Sequence, residues 1–81
     1  MKNLESVVRQ IFESNGFSKD DLQLETTDSG RVGGFIVSNN FDGKSQLDRQ
    51  DEIWKILDSL DETQRQKIVA ILTVTPEEIL D

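Results

Sequence analysis

Residues 41–60, FDGKSQLDRQDEIWKILDSL, narrow the fold more than any other part of the chain. Asp42-Gly43 is a turn dipeptide, because glycine tolerates positive φ. Ser45 behind it is placed to cap a helix whose first turn carries Asp48. Helical spacing then sets Leu47, Ile53, Trp54, Ile56, Leu57 and Leu60 on one broad face, with Arg49, Asp51, Glu52, Lys55 and Asp58 mostly on the other. The stretch therefore reads as a sharp turn feeding a capped amphipathic helix, with Arg49 paired to Glu52 at i+3.

The flanking segments supply a sheet and further helices. Asn3 is an N-cap, and Leu4, Val7, Val8, Ile11 and Phe12 follow at i, i+3, i+4, i+7 and i+8, the spacing of one buried helical stripe. Asn15-Gly16 ends that helix and Phe17 folds back onto its last turn. Residues 22–26, LQLET, alternate with period two and predict a short strand with Leu22 and Leu24 inward. DSGRVGG then reads as a loop joining two strands, the second being residues 35–38, FIVS. Glycines between two strands make a hairpin, whereas a phosphate cradle needs them between a strand and a helix N-terminus.

After Leu60, Thr63 with Gln66 predicts a cap for a single helical turn. KIVAILTVT is β-branched and apolar on both faces, which predicts a strand covered on both sides or central in its sheet. Thr75 caps a last short helix with Pro76 at its first position and Glu77 and Glu78 where the helix dipole favours them. Ile79 and Leu80 are expected to pin that helix to the body. The order helix, strand, strand, helix, short helix, strand, short helix predicts a single α+β domain over residues 1–81. It is a three-stranded mixed sheet with helices on one face, its first pair antiparallel and its second parallel.

Composition excludes much chemistry. With no Cys and no His, the chain has no thiol nucleophile, no imidazole base and none of the usual ligands of zinc, haem or an iron–sulfur cluster. Only Asp, Glu and Lys remain as general bases, no acid–base pair stands out, and neither a catalytic nor a metal-binding residue is assigned. A net charge of −7, from sixteen acidic and nine basic side chains, opposes a polyanionic partner. A basic patch would need Arg31, Lys44, Arg49 and Lys67 to converge, since screening limits distant carboxylates to about 8 Å. No apolar run approaches the roughly 20 residues of a membrane span, and the N-terminus lacks a signal-type apolar core. The expectation is a cytoplasmic binding module, monomeric or weakly dimeric.

From Val37 onward the chain resembles the BolA family. VSNNFDGKSQLDRQDEIWKIL is similar to that family's short strand followed by Phe-x-Gly-x-Ser, a basic residue four places on, and an apolar helix. IVAILTVTPEE is similar to its closing strand ending Thr-x-Thr-Pro-x-Glu. The residues carrying the likeness are Phe41, Gly43, Ser45, Arg49, Thr73, Thr75, Pro76 and Glu78. The resemblance implies an α-β-β-α-α-β fold like that of type II KH domains. It also implies an adaptor in iron–sulfur or redox-linked regulation and the stress response, with a monothiol glutaredoxin as partner. Arg31, Gly33, Gly34, Lys44, Arg49 and Lys67 would be the contact residues. Family members that share a cluster supply a His before the last strand and often a Cys or His in the first hairpin loop; here Lys67 and DSGRVGG stand there, so no cofactor is expected. The alternative that the KH-like order suggests is a nucleic-acid-binding transcriptional regulator.

Overall fold

The computed structural model describes residues 3–79. Helix α1, Leu4–Ser14, begins as expected, with the Asn3 side chain accepting the Ser6 N–H at 2.8 Å. It buries Val8 and Phe12. Gly16 turns the chain at φ 96°, so that the Phe17 N–H donates to the Phe12 carbonyl at 3.1 Å and the two rings meet edge-on at 5.5 Å. A 3₁₀ turn, Lys19–Asp21, leads into β1, Leu22–Thr26, with Leu22 and Leu24 inward.

Strand β2 is Val32–Val37 and so starts three residues before Phe35, taking in the two glycines expected in the loop. The hairpin closes earlier, where the Thr27 N–H donates to the Arg31 carbonyl at 2.7 Å. Gly33 and Gly34 are needed inside the strand. Val69 of the neighbouring strand fills the place a Cβ on Gly33 would take, and Gly34, at φ 138°, lies against the Gln23 backbone. A second 3₁₀ turn, Asn39–Phe41, buries Phe41, and Gly43 bends the chain at φ 77°. Helix α2, Gln46–Leu57, then starts at Ser45, whose hydroxyl accepts the Asp48 N–H at 3.2 Å.

Helix α3 is Glu62–Gln66, and its cap falls two residues before Thr63: Asp61 and Gln64 form a reciprocal capping box. Strand β3, Ile68–Val74, and helix α4, Pro76–Ile79, follow. The sheet order is β1-β2-β3, antiparallel then parallel, as the connections predict. This is a mixed-sheet α+β fold. Its core, including Val8, Phe12, Leu22, Val32, Ile36, Phe41, Ile53, Leu57 and Ile71, lies between the helices and one sheet face.

Three further expectations are corrected. β3 is an edge strand with an uncovered face, not a central or doubly covered one. The register slips between Val32 and Gly34, where β3 carries one extra residue, and this bulge puts Val69 and Leu72 outside while Ile68, Ile71 and Thr73 stay in. Leu47 is exposed, since the inward stripe of α2 runs through Arg49, Ile53 and Leu57. Ile79 is exposed and does not anchor α4, and Leu80 lies outside the described residues.

Candidate functional site

The residues that carry the family likeness come together at one corner and hold it shut. Arg49, 5% exposed, donates Nε to the Lys44 carbonyl at 3.0 Å and Nη1 to the Thr73 carbonyl at 3.2 Å. Its two terminal nitrogens grip the Glu78 carboxylate at 2.9 and 3.2 Å, and the guanidinium carbon lies 6.0 Å from the Phe41 ring centroid. Glu78 also accepts the Thr75 N–H at 2.8 Å. The Arg49 hydrogen bond, then the Thr75 N–H, hold the Glu78 carboxyl below the usual carboxylate range. Arg49 is thus paired with Glu78, not with Glu52, which instead takes Lys44 Nζ at 2.8 Å. Gly43 and Ser45 serve the turn and cap that bring Arg49 to this corner, and Thr75 and Pro76 start the helix that brings Glu78.

Helical side chains also reach both edges of the sheet. Because Thr27 bonds to Arg31 across the hairpin, Leu22 and Leu24 turn their carbonyls away from β2. Arg9 of α1 donates to both, at 3.0 and 3.1 Å, while its Nε rests on Glu5. On the opposite edge Gln50 donates to the Ile71 carbonyl at 2.9 Å, and Gln46 and Arg49 donate to that of Thr73. Two carbonyls on each edge, those of Leu22 and Leu24 and those of Ile71 and Thr73, are therefore occupied.

What stays open is the sheet face turned away from the helices. Phe35 is 40% exposed, Val69 37% and Leu72 61%, and Phe35 and Leu72 are direct cross-strand partners. Beside them a cleft of about 390 Å³ is lined by Gln23, Leu24, Glu25, Gly34 and Phe35. At one end of this face stand Arg31 and Lys67, brought together by the Val32 N–H bond to the Lys67 carbonyl at 2.9 Å. Both are exposed and, among the described residues, neither side chain is ion-paired.

The six sequence-predicted contact residues do not form one patch. Arg31 and Lys67 meet at the start of the parallel pair, while Lys44 and Arg49 lie at its far end, about 17–20 Å of strand away and well beyond the screening length. Gly33 and Gly34 sit in β2 between them, under neighbours. Phe35, Val69 and Leu72 were missed, although the apolar residues on both faces of KIVAILTVT were their signal. Arg9 was missed because nothing local marks a bond to carbonyls 13 and 15 residues on. The donor set does not fit an iron–sulfur cluster. The chain has no thiol or imidazole, and a Lys67 ammonium does not coordinate iron while protonated. Among the described residues no group of His, Cys, Asp or Glu is arranged to hold a metal, and no helix is long and apolar enough to cross a membrane. Comparisons with family models, curated proteins and solved structures found no match.

Proposed function

We propose that this chain is a non-enzymatic adaptor of BolA type that acts in the cytoplasm by binding another protein, without itself ligating a cluster. The observation that carries the reading is the apolar sheet face of Phe35, Val69 and Leu72, which no helix covers. Apolar surface is favourable to bury, and a contiguous patch on a small acidic domain is suited to docking. The likeness of the Phe41–Ser45–Arg49 and Thr73–Glu78 segments to the BolA family makes a monothiol glutaredoxin the first partner to test, in iron–sulfur or redox-linked regulation.

The test is an NMR titration of ¹⁵N-labelled protein with a monothiol glutaredoxin, first apo and then cluster-loaded. Saturable shifts at Arg31, Gly33, Gly34, Phe35, Lys67 and Leu72 are expected. The absence of shifts in both forms would remove the glutaredoxin partner.

The KH-like element order favours a second reading, nucleic-acid binding. Opposing it, the α2–α3 connection is Asp58-Ser59-Leu60-Asp61, with two carboxylates and no glycine where a KH domain carries Gly-x-x-Gly, and the basic residues are split between two ends. Phosphate contacts would give an affinity that falls steeply with salt, so titration with single-stranded DNA and RNA at two salt concentrations checks it.

A further inference from the structure

We infer that Asn15-Gly16 is a site of spontaneous covalent modification: the pair closes to a succinimide when the end of α1 frays, and the deamidated products loosen that end. Among the asparagines, Asn3 precedes Leu4, Asn39 precedes Asn40 and Asn40 precedes Phe41, so Asn15 alone is followed by glycine. Ring closure needs the next backbone nitrogen to reach the asparagine Cγ. A side chain on that next residue crowds the approach, and glycine leaves it open and lets the backbone swing. Asn15 and Gly16 are both exposed, so water and solvent base have access.

The chemistry needs only those two. The Gly16 nitrogen gives its proton to solvent base and attacks Asn15 Cγ. An N–Cγ bond forms, the Cγ–Nδ2 bond breaks, and the amide nitrogen leaves as ammonia. Water then opens the five-membered ring. Cleavage at Cγ gives aspartate, and cleavage at the main-chain carbonyl gives isoaspartate, with the chain rerouted through Cγ. The balance is asparagine plus water to acid plus ammonia, with no change of oxidation state.

The folded cap gates the attack. Asn15 Nδ2 donates to the Ile11 carbonyl at 2.8 Å, and the Gly16 N–H donates to the Glu13 carbonyl at 3.3 Å, so both reacting groups are held until those bonds open. They are exposed bonds in the last turn of a helix, where opening free energies are low. Beyond them the chain is fixed again, because Phe17 is buried against Phe12 and Phe41. Local fraying, not global unfolding, therefore admits the reaction.

Either product undoes the cap. The Nδ2 donor to Ile11 is lost, and a carboxylate appears at the negative end of the helix dipole, where the last turn of α1 has no basic residue to offset it. Isoaspartate also lengthens the main chain between Phe12 and Phe17, which are joined by a backbone hydrogen bond of 3.1 Å and by edge-on rings 5.5 Å apart.

The test is to age the intact protein in mildly alkaline buffer at physiological temperature, beside the same protein held unfolded in urea. Timed samples are digested with trypsin and read by mass spectrometry. The tryptic peptide of residues 10–19 contains Asn15 and no other asparagine, and Asn3, Asn39 and Asn40 fall in different peptides. That peptide should gain about 1 Da before the others do, and an isoaspartate-specific methyltransferase should label it. Asp42-Gly43 closes the same ring by losing water, which leaves the mass of its product unchanged, so the map keeps the two sites apart. Folded protein should react about tenfold to a hundredfold more slowly than unfolded protein. Equal rates would overturn the gate, and slowing by about a thousandfold or more would overturn the fraying route in favour of global unfolding. A mass gain appearing first at another asparagine would overturn the site itself. The aged form, separated by its extra negative charge, should unfold at a urea midpoint lower by about 0.5 M, and an unchanged midpoint would overturn the loosening of α1.

Discussion

At the two ends of the β2–β3 pair stand two pairs of cations, and the fold treats them in opposite ways. At the far end Lys44 is held by Glu52, and Arg49 is buried on two backbone carbonyls and Glu78. At the near end Arg31 and Lys67 are exposed and have no ion pair among the described residues. The far pair belongs to the segment with the most regular spacing, and that regularity serves architecture. A turn at Gly43, a cap at Ser45 and a guanidinium at Arg49 all exist to fasten α2 and α4 to the end of β3. The near pair has no motif of its own, yet its cations are the ones free to meet a partner. Spacing strong enough to be read from sequence reports here on folding, and the exposed cations lie where the fold makes no demand.

The largest effect is expected midway between the two ends. Gly34→Ala places a Cβ against the Gln23 backbone at φ 138°, and should cost about 3–5 kcal/mol in urea unfolding. A wild-type midpoint would mean that the β1–β2 register is wrong and that the sheet does not hold the two ends apart. Gly43→Val tests the far end more gently. A Cβ there meets nothing within 4 Å, so backbone strain at φ 77° is the whole effect, about 1–2 kcal/mol. Unchanged thermal unfolding would remove the turn from the corner.

The far end also has a pH signature. Glu78 titrates lower in the folded chain than the roughly 4.3 of an unfolded glutamate. Its contribution is therefore present above about pH 4.3 and is lost as pH falls through the lower folded value. Glu78→Gln should remove that part of the acid limb of a stability–pH curve, and an identical limb in the variant would show that Arg49 does not hold the carboxylate. The smallest effect belongs to the open face. Leu72→Ser should change unfolding stability by no more than about 0.5 kcal/mol, because the side chain is already 61% exposed. A loss of about 2 kcal/mol would show that the face is covered.

Much of the fold was legible because its signals are local. Asn3, Ser45 and Thr75 cap where their chemistry says, Gly16 and Gly43 turn with positive φ, and the alternation of residues 22–26 marks β1 to the residue. The start of β2 was hidden because glycine reads as loop. The reason for Gly33 is Val69, a neighbour 36 positions on that only the parallel pairing supplies. The bulge in β3 made an edge strand look covered, since one extra residue turns apolar side chains to both faces. Of the candidate site, Arg31 and Lys67 were named from sequence, but as members of a patch with Lys44 and Arg49 that the topology divides. The Arg49–Glu78 pair spans 29 residues, and i+3 spacing offered Glu52 in its place.

One comparison of variants reaches the central claim without any partner in hand. Urea unfolding of Arg49→Lys, which keeps the charge but loses the planar fork, is set beside that of Arg31→Ala/Lys67→Ala, which deletes two charges. Arg49→Lys should lose about 2 kcal/mol, and the double variant should stay within about 0.5 kcal/mol of wild type. Equal losses, or a larger loss in the double variant, would contradict the division of the cations into one pair that builds the fold and one that is free to bind.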